Sequence, residues 1–97
     1  MNRDVRQVIR FARQKRLPTE NKSIHLLLTR ISIELGEAQD AYMKGNSKQL
    51  KQELIDVLIQ TLQALGAMSV DVDKEFQKTM AANDVRDFSR HKRAIKK

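Results

Sequence analysis

The chain has 97 residues, a length that fits one small domain with a core but a limited fraction of buried surface. It has no cysteine, which excludes disulfides and thiolate metal sites and fits a reducing cytoplasm. No apolar run reaches the length of a membrane span, and residues 1–16 are charged throughout. We therefore expect a cytoplasmic protein that neither crosses a membrane nor is exported.

The net charge of +7 is concentrated at the two ends of the chain. Residues 1–22 carry seven basic and two acidic side chains, residues 86–97 carry six and one, and the segment between them is acidic overall. Basic ends can contact phosphates, but nucleic-acid sites usually interleave them with aromatic residues, and this chain has only four aromatics. We do not expect specific nucleic-acid binding, and we interpret 89–97 as a solvated basic tail after a single domain at 1–88.

The apolar periodicity predicts four helices and almost no strand. A first helix ends before Pro18, and a loop follows at 17–21. A second helix runs from about Ser23 to Lys44, where Gly45 is suited to end it in a left-handed conformation. Asn46 or Ser47 can cap a third helix that extends to about Met68, with Asn46 and Gln49 completing a capping box, and a fourth helix begins near Val72. The short connection at Gly45 predicts that the second and third helices are antiparallel neighbours in an all-α bundle.

The second and third helices each carry two acidic residues three positions apart. These pairs are Glu34 with Glu37, and Glu53 with Asp56. On a helix this spacing places both acids on one face, and each pair borders an apolar stripe, so packing the helices together would bring four carboxylates to a common point. Four carboxylates favour a metal site, and Mg²⁺ prefers such oxygen ligands. Gly36, which costs about 1 kcal/mol relative to alanine in a helix interior, indicates that something approaches the backbone there.

In the order and spacing of these pairs, the chain resembles the MazG-like all-α nucleoside triphosphate pyrophosphohydrolases over roughly residues 20–88. The string Glu34-Leu35-Gly36-Glu37-Ala38 and the sequence Glu53-x-x-Asp56-Val57-Leu58 carry the resemblance. It implies a four-helix bundle completed by oligomerisation, as a homodimer or homotetramer. It also implies Mg²⁺-dependent cleavage of a nucleoside triphosphate between its α and β phosphates, with Mn²⁺ as a possible substitute. Glu34, Glu37, Glu53 and Asp56 would be the catalytic metal ligands.

Basic and polar residues of the fourth helix are the candidates for binding the triphosphate. The resemblance points to Lys78, Asn83 and Arg86, of which Arg86 is suited to bidentate phosphate contact. Lys78 lies five residues before Asn83 instead of the four usual in the family, which turns it about 100° around the helix. Arg30 shares the angular sector of Glu34, so it contacts either phosphate or the Glu34 carboxylate one turn away.

Two alternative functions are open from the sequence. One is a phosphoribosyl-ATP pyrophosphohydrolase, which shares the fold and the acidic pattern, although Asp56-Val57-Leu58-Ile59 looks more like the MazG-like side. The other is a non-catalytic helical module with basic arms. Ile55, Ile59 and Leu62 widen the apolar surface of the third helix beyond one stripe, so we expect a homo-oligomer in either case.

Overall fold

The computed structural model describes residues 1–85, and that part of the chain folds into helices without a strand. The four α-helices are α1 (Asn2–Gln14), α2 (Ile24–Met43), α3 (Ser47–Ala67) and α4 (Val72–Asp84), with a short 3-10 helix at Asn21–Ser23. The predicted all-α fold is confirmed, and α2 and α3 lie within about one residue of their expected bounds. Arg86 and the predicted tail at 89–97 lie outside the described residues.

A tight turn joins α2 to α3 and makes them the best-packed pair of helices. Gly45 has a φ of +70°, a left-handed conformation that glycine adopts without strain. The Asn46 side chain accepts a hydrogen bond from the Gln49 backbone N–H at 3.1 Å and donates to the Gln49 side chain at 3.3 Å. The Asn46 cap fixes where α3 begins, and this cap and the Gly45 conformation agree with the sequence prediction. The return bond of a capping box is not made, because the Asn46 backbone N–H donates to the Ala41 carbonyl at 2.9 Å. The turn thereby sets the register between the two helices that carry the acidic pairs.

The core consists of two small clusters of buried side chains on either side of α3. Val5 of α1, Leu62 of α3 and Val72 at the start of α4 form one, and Leu27 with two alanines of α3 forms the other. Gly66 lets α1 approach α3 closely, since a Cβ there would lie only 2.5 Å from Ile9 Cγ1. Leu27 is the only large side chain that is fully buried among the described residues. The core of one chain is therefore thin.

The fourth helix turns away from the hairpin. It is bent by 108° from α3 and packs chiefly against α1. Its first turn is tied to the start of α1, where the amino group of Met1 pairs with Asp73 and the Asn2 side chain donates to Asp71 Oδ1 at 2.8 Å. The radius of gyration is 15.7 Å, against about 12 Å for a compact domain of this size, so the described chain is open in shape.

Large apolar side chains remain exposed on α2 and α3. Among the apolar residues of α2, Leu27, Ala38 and Ala41 are buried, but Leu35 is 46% and Tyr42 is 71% exposed. The reason is that α3 covers only one side of α2, while α1 and α4 pack elsewhere. Among the described residues, no single helix is long and apolar enough to cross a membrane; α3 and α4 meet that measure only when joined across their bend.

Candidate metal centre between the second and third helices

Three of the four predicted carboxylates converge between α2 and α3. Glu34 and Glu37 lie one turn apart on α2, and Glu53 reaches them from α3, so that each residue offers an oxygen within 4.8 Å of the others. The antiparallel hairpin explains the meeting, because residues near the middle of α2 face residues in the first half of α3. The sequence predicted that the two acidic pairs face a common point, and the structure agrees for these three residues.

The crowding of these carboxyl groups changes the acidity of Glu53. Its hydrogen bond with Glu34, its burial, its hydrogen bond with Glu37 and the negative charges of both raise the pKa of Glu53 from 4.5 to about 7. A proton on Glu53 lets the three groups share hydrogen bonds instead of repelling one another. A cation at the same place would stabilise the ionised form, since an opposite charge lowers a carboxyl pKa.

Two buried oxygen atoms at this centre have no hydrogen-bond partner among the described residues. They are Oε2 of Glu53 and Oε1 of Gln60, and both are almost completely shielded from solvent. Buried acceptors usually have a partner, because leaving one unsatisfied costs about 1–3 kcal/mol. All the atoms here that could coordinate a metal are oxygens, the ligand type of hard cations such as Mg²⁺ and Mn²⁺. The residues present therefore fit a divalent metal.

Asp56, the fourth predicted ligand, lies beside this centre and not in it. It is exposed, and its carboxylate does not join the group of three oxygens within 4.8 Å. It borders a shallow depression of about 430 Å³ that Glu53 also lines. Three residues turn a helix by about 300°, so Asp56 lies about 60° around the α3 axis from Glu53. On this helix that offset places Asp56 toward solvent. Its role as a ligand stays a prediction.

Of the predicted phosphate-binding residues, Arg30, Lys78 and Asn83 lie in the described part of the chain. Arg30 is exposed on α2 and forms no ion pair with Glu34, so the i,i+4 salt bridge does not explain it. Lys78 is exposed and Asn83 half-buried on α4, the helix that packs chiefly on α1. Arg86 lies outside the described residues. The structure thus leaves the substrate-binding assignments of these four residues as predictions.

Gln60 also belongs to this centre, although the acidic pattern of the sequence did not predict it. This half-buried residue of α3 donates a hydrogen bond from Nε2 to Glu34 Oε1 at 3.3 Å. A signal was available, because Gln60 lies seven residues after Glu53, which returns it to within about 20° of the same helix face. Gln60 carries no charge, so the pattern of acidic residues does not include it.

Glutamates from two antiparallel helices meet in an all-α bundle, the arrangement that the resemblance to MazG-like all-α pyrophosphohydrolases implies. The sequence model of one family in this class, described as PRA-PH (phosphoribosyl-ATP pyrophosphohydrolase), matches residues 4–83. The match spans most of the chain, so the protein belongs to the phosphoribosyl-ATP pyrophosphohydrolase family. No curated protein and no solved structure matches the chain significantly.

The family match supports a nucleotide pyrophosphohydrolase-like activity, a hydrolase acting on an acid anhydride. The MazG-like resemblance is confirmed at the level of the wider class. Within that class, the matched family is the alternative that the sequence left open. The segment Asp56-Val57-Leu58-Ile59 therefore did not discriminate between the two families.

Proposed function

We propose that the protein is a Mg²⁺-dependent pyrophosphohydrolase that cleaves the α–β bond in the triphosphate group of a nucleotide. The products are a nucleoside monophosphate, or its phosphoribosyl derivative, and pyrophosphate. The observation that carries the proposal is the group of Glu34, Glu37 and Glu53 with a buried, unpaired oxygen, in a chain that matches the family over residues 4–83.

The carboxylates would hold the metal, and Asp56 is the predicted fourth ligand. A bound Mg²⁺ supplies charge neutralisation for the phosphate oxygens on which negative charge develops. The protein's own part is to fix three oxygens on two helices whose packing is set by the α2–α3 turn, so that little reorganisation is needed when substrate binds. Lys78, Asn83, Arg86 and Arg30 are the proposed phosphate-binding residues.

The substrate belongs to one of two classes that share a triphosphate group. The family match favours phosphoribosyl-ATP, and the resemblance of the acidic signatures favours free (deoxy)nucleoside triphosphates. Both present the same phosphates to the metal, so the choice depends on what surrounds the base and sugar.

The active form we propose is a homodimer, or a tetramer built from it. On α3, Leu54, Ile55 and Leu58 are 47–51% exposed, and Ile33 on α2 is 56% exposed. Apolar side chains grouped on neighbouring helices usually mark an interface. A second copy covering this face would also enlarge a core that contains few large buried residues.

The test is product analysis with phosphoribosyl-ATP and a panel of nucleoside triphosphates in oxygen-18-labelled water. Phosphorus NMR should show pyrophosphate and monophosphate, and attack at the α-phosphorus places the label in the monophosphate. Glu37→Gln should lower turnover by at least about a hundredfold, since a lost ligand weakens stabilisation of the transition state. Asp40→Asn, which changes an exposed acid one turn further along α2, serves as the matched control.

Two results would reject the proposal. One is orthophosphate as the primary product, which would mean cleavage of a different bond. The other is turnover in Glu37→Gln equal to that of Asp40→Asn. Comparing rates across the panel then decides between phosphoribosyl-ATP and free nucleotides.

A further inference from the structure

We infer that Gln60 is a positioning residue of the proposed metal centre, holding the Glu34 carboxylate for the cation. The inference builds on the proposed function and concerns a residue outside the two acidic signatures. Three observations carry it: the direction of one hydrogen bond, an unpaired buried oxygen, and the placement of Gln60 on α3.

The hydrogen bond between Gln60 and Glu34 has a fixed direction. Gln60 Nε2 lies 3.3 Å from Glu34 Oε1 in a partly buried contact between α3 and α2. A carboxylate only accepts hydrogen bonds, so the amide must present its nitrogen, because two facing oxygens would repel. Gln60 thereby restrains the rotation of Glu34 while leaving that carboxylate its full negative charge and further lone pairs.

The other end of the same amide is buried and unsatisfied. Gln60 Oε1 has no hydrogen-bond partner among the described residues and is almost completely shielded from solvent. An amide carbonyl at such a place accepts either from an ordered water or binds a cation directly. Glu53 Oε2 is in the same condition, and Glu34 contacts both Glu53 and Gln60. The unsatisfied oxygens thus occur on the two α3 side chains that flank Glu34.

The position of Gln60 on α3 allows its amide to orient the Glu34 carboxylate. It lies two turns after Glu53 on nearly the same face of α3, so Glu34 from α2 is held from both sides. Partners that orient a metal-binding carboxylate typically change metal affinity or activity by about 10–100-fold when they are removed. A residue that merely filled space would not affect metal affinity in this way.

The experiment measures Mn²⁺ binding to the whole protein by electron paramagnetic resonance, with Mn²⁺ standing in for Mg²⁺. Gln60→Met keeps the volume but removes both the donor and the acceptor, and it should weaken Mn²⁺ binding by about 10–100-fold. Gln60→Asn keeps the amide on a side chain one methylene shorter, which withdraws it from Glu34, and it should show the same loss. Gln52→Met, at an exposed glutamine of α3, should bind as the parent does.

A melting curve in EDTA for each variant separates positioning from support of the fold. We expect the metal-free midpoint of Gln60→Met to stay near or above that of the parent, because the substitution also removes a buried unsatisfied oxygen. Unchanged Mn²⁺ affinity in both Gln60 variants, with the parent binding Mn²⁺, would overturn the inference alone. A parent that binds no Mn²⁺ would overturn the metal-dependent function and this inference together.

Discussion

The two helical glycines, Gly66 and Gly36, give a matched test of how closely α1 packs on α3. A Cβ added at Gly66 would lie 2.5 Å from Ile9 Cγ1 and 3.0 Å from Val5 Cγ1. Carbon atoms pack best at about 3.5–4.0 Å, so Ile9 would have to retreat by about 1 Å. A Cβ added at Gly36 meets nothing within 4 Å.

The two alanine substitutions should therefore have opposite effects. Each removes the flexibility of a helical glycine, which stabilises by up to about 1 kcal/mol. At Gly66 the added methyl group also overpacks the contact with α1, which costs about 1–3 kcal/mol. The stabilisation from replacing a helical glycine is common to both variants and cancels in the comparison. Gly66→Ala should therefore be about 2 kcal/mol less stable than Gly36→Ala, equivalent to about 8–16 °C in melting midpoint.

Thermal melting followed by far-UV circular dichroism measures this difference, and a second variant assigns its cause. In an Ile9→Ala background the nearest colliding atoms are gone, so Gly66→Ala should cost less there than in the parent. Equal costs in both backgrounds, or equal midpoints for Gly66→Ala and Gly36→Ala, would refute the described packing of α1. Loss of stability in Gly36→Ala would instead support the interpretation from the sequence that something approaches the backbone at that glycine.

Three further outcomes are expected. The pKa of Glu53 is about 7 in the folded protein and 4.5 in the unfolded chain, so between these pH values only the folded state keeps the proton. The free energy of unfolding of the metal-free protein should therefore fall as the pH rises from 4.5 to 7. Melting curves of Glu53→Gln in EDTA should lose this pH dependence. Mg²⁺ at 100 times its dissociation constant should raise the free energy of unfolding by about 2.7 kcal/mol, which corresponds to roughly 10–20 °C in melting midpoint. Glu37→Gln should lose most of this shift, and an undiminished shift would show that Glu37 is not a ligand. Light scattering at micromolar concentration should report at least twice the 11.2 kDa mass of one chain, with Leu58→Glu moving the protein toward the monomer, whereas an 11.2 kDa parent would contradict the dimer.

The sequence predicted the local features of the helices, which are their positions, caps and connecting turn. Apolar periodicity located α2 and α3, and Gly45 with Asn46 and Gln49 fixed the turn between them, because caps and left-handed conformations depend on residues within a few positions of one another. The spacing of the acidic residues likewise predicted that Glu34 and Glu37 share one face of α2, and that Glu53 and Asp56 share one face of α3. These features are short-range, so the amino-acid order alone determined them.

Tertiary packing decided which predicted residues meet. It placed Glu53 beside the α2 glutamates and left Asp56 facing solvent. It also placed Gln60, a neutral residue outside the acidic pairs, within hydrogen-bond distance of Glu34. It also directed α4 onto α1 and left Leu35 and Leu58 exposed. Helix periodicity gives only a direction around one axis, whereas these outcomes depend on the angle and depth at which helices cross, which the contacts of the whole chain set together.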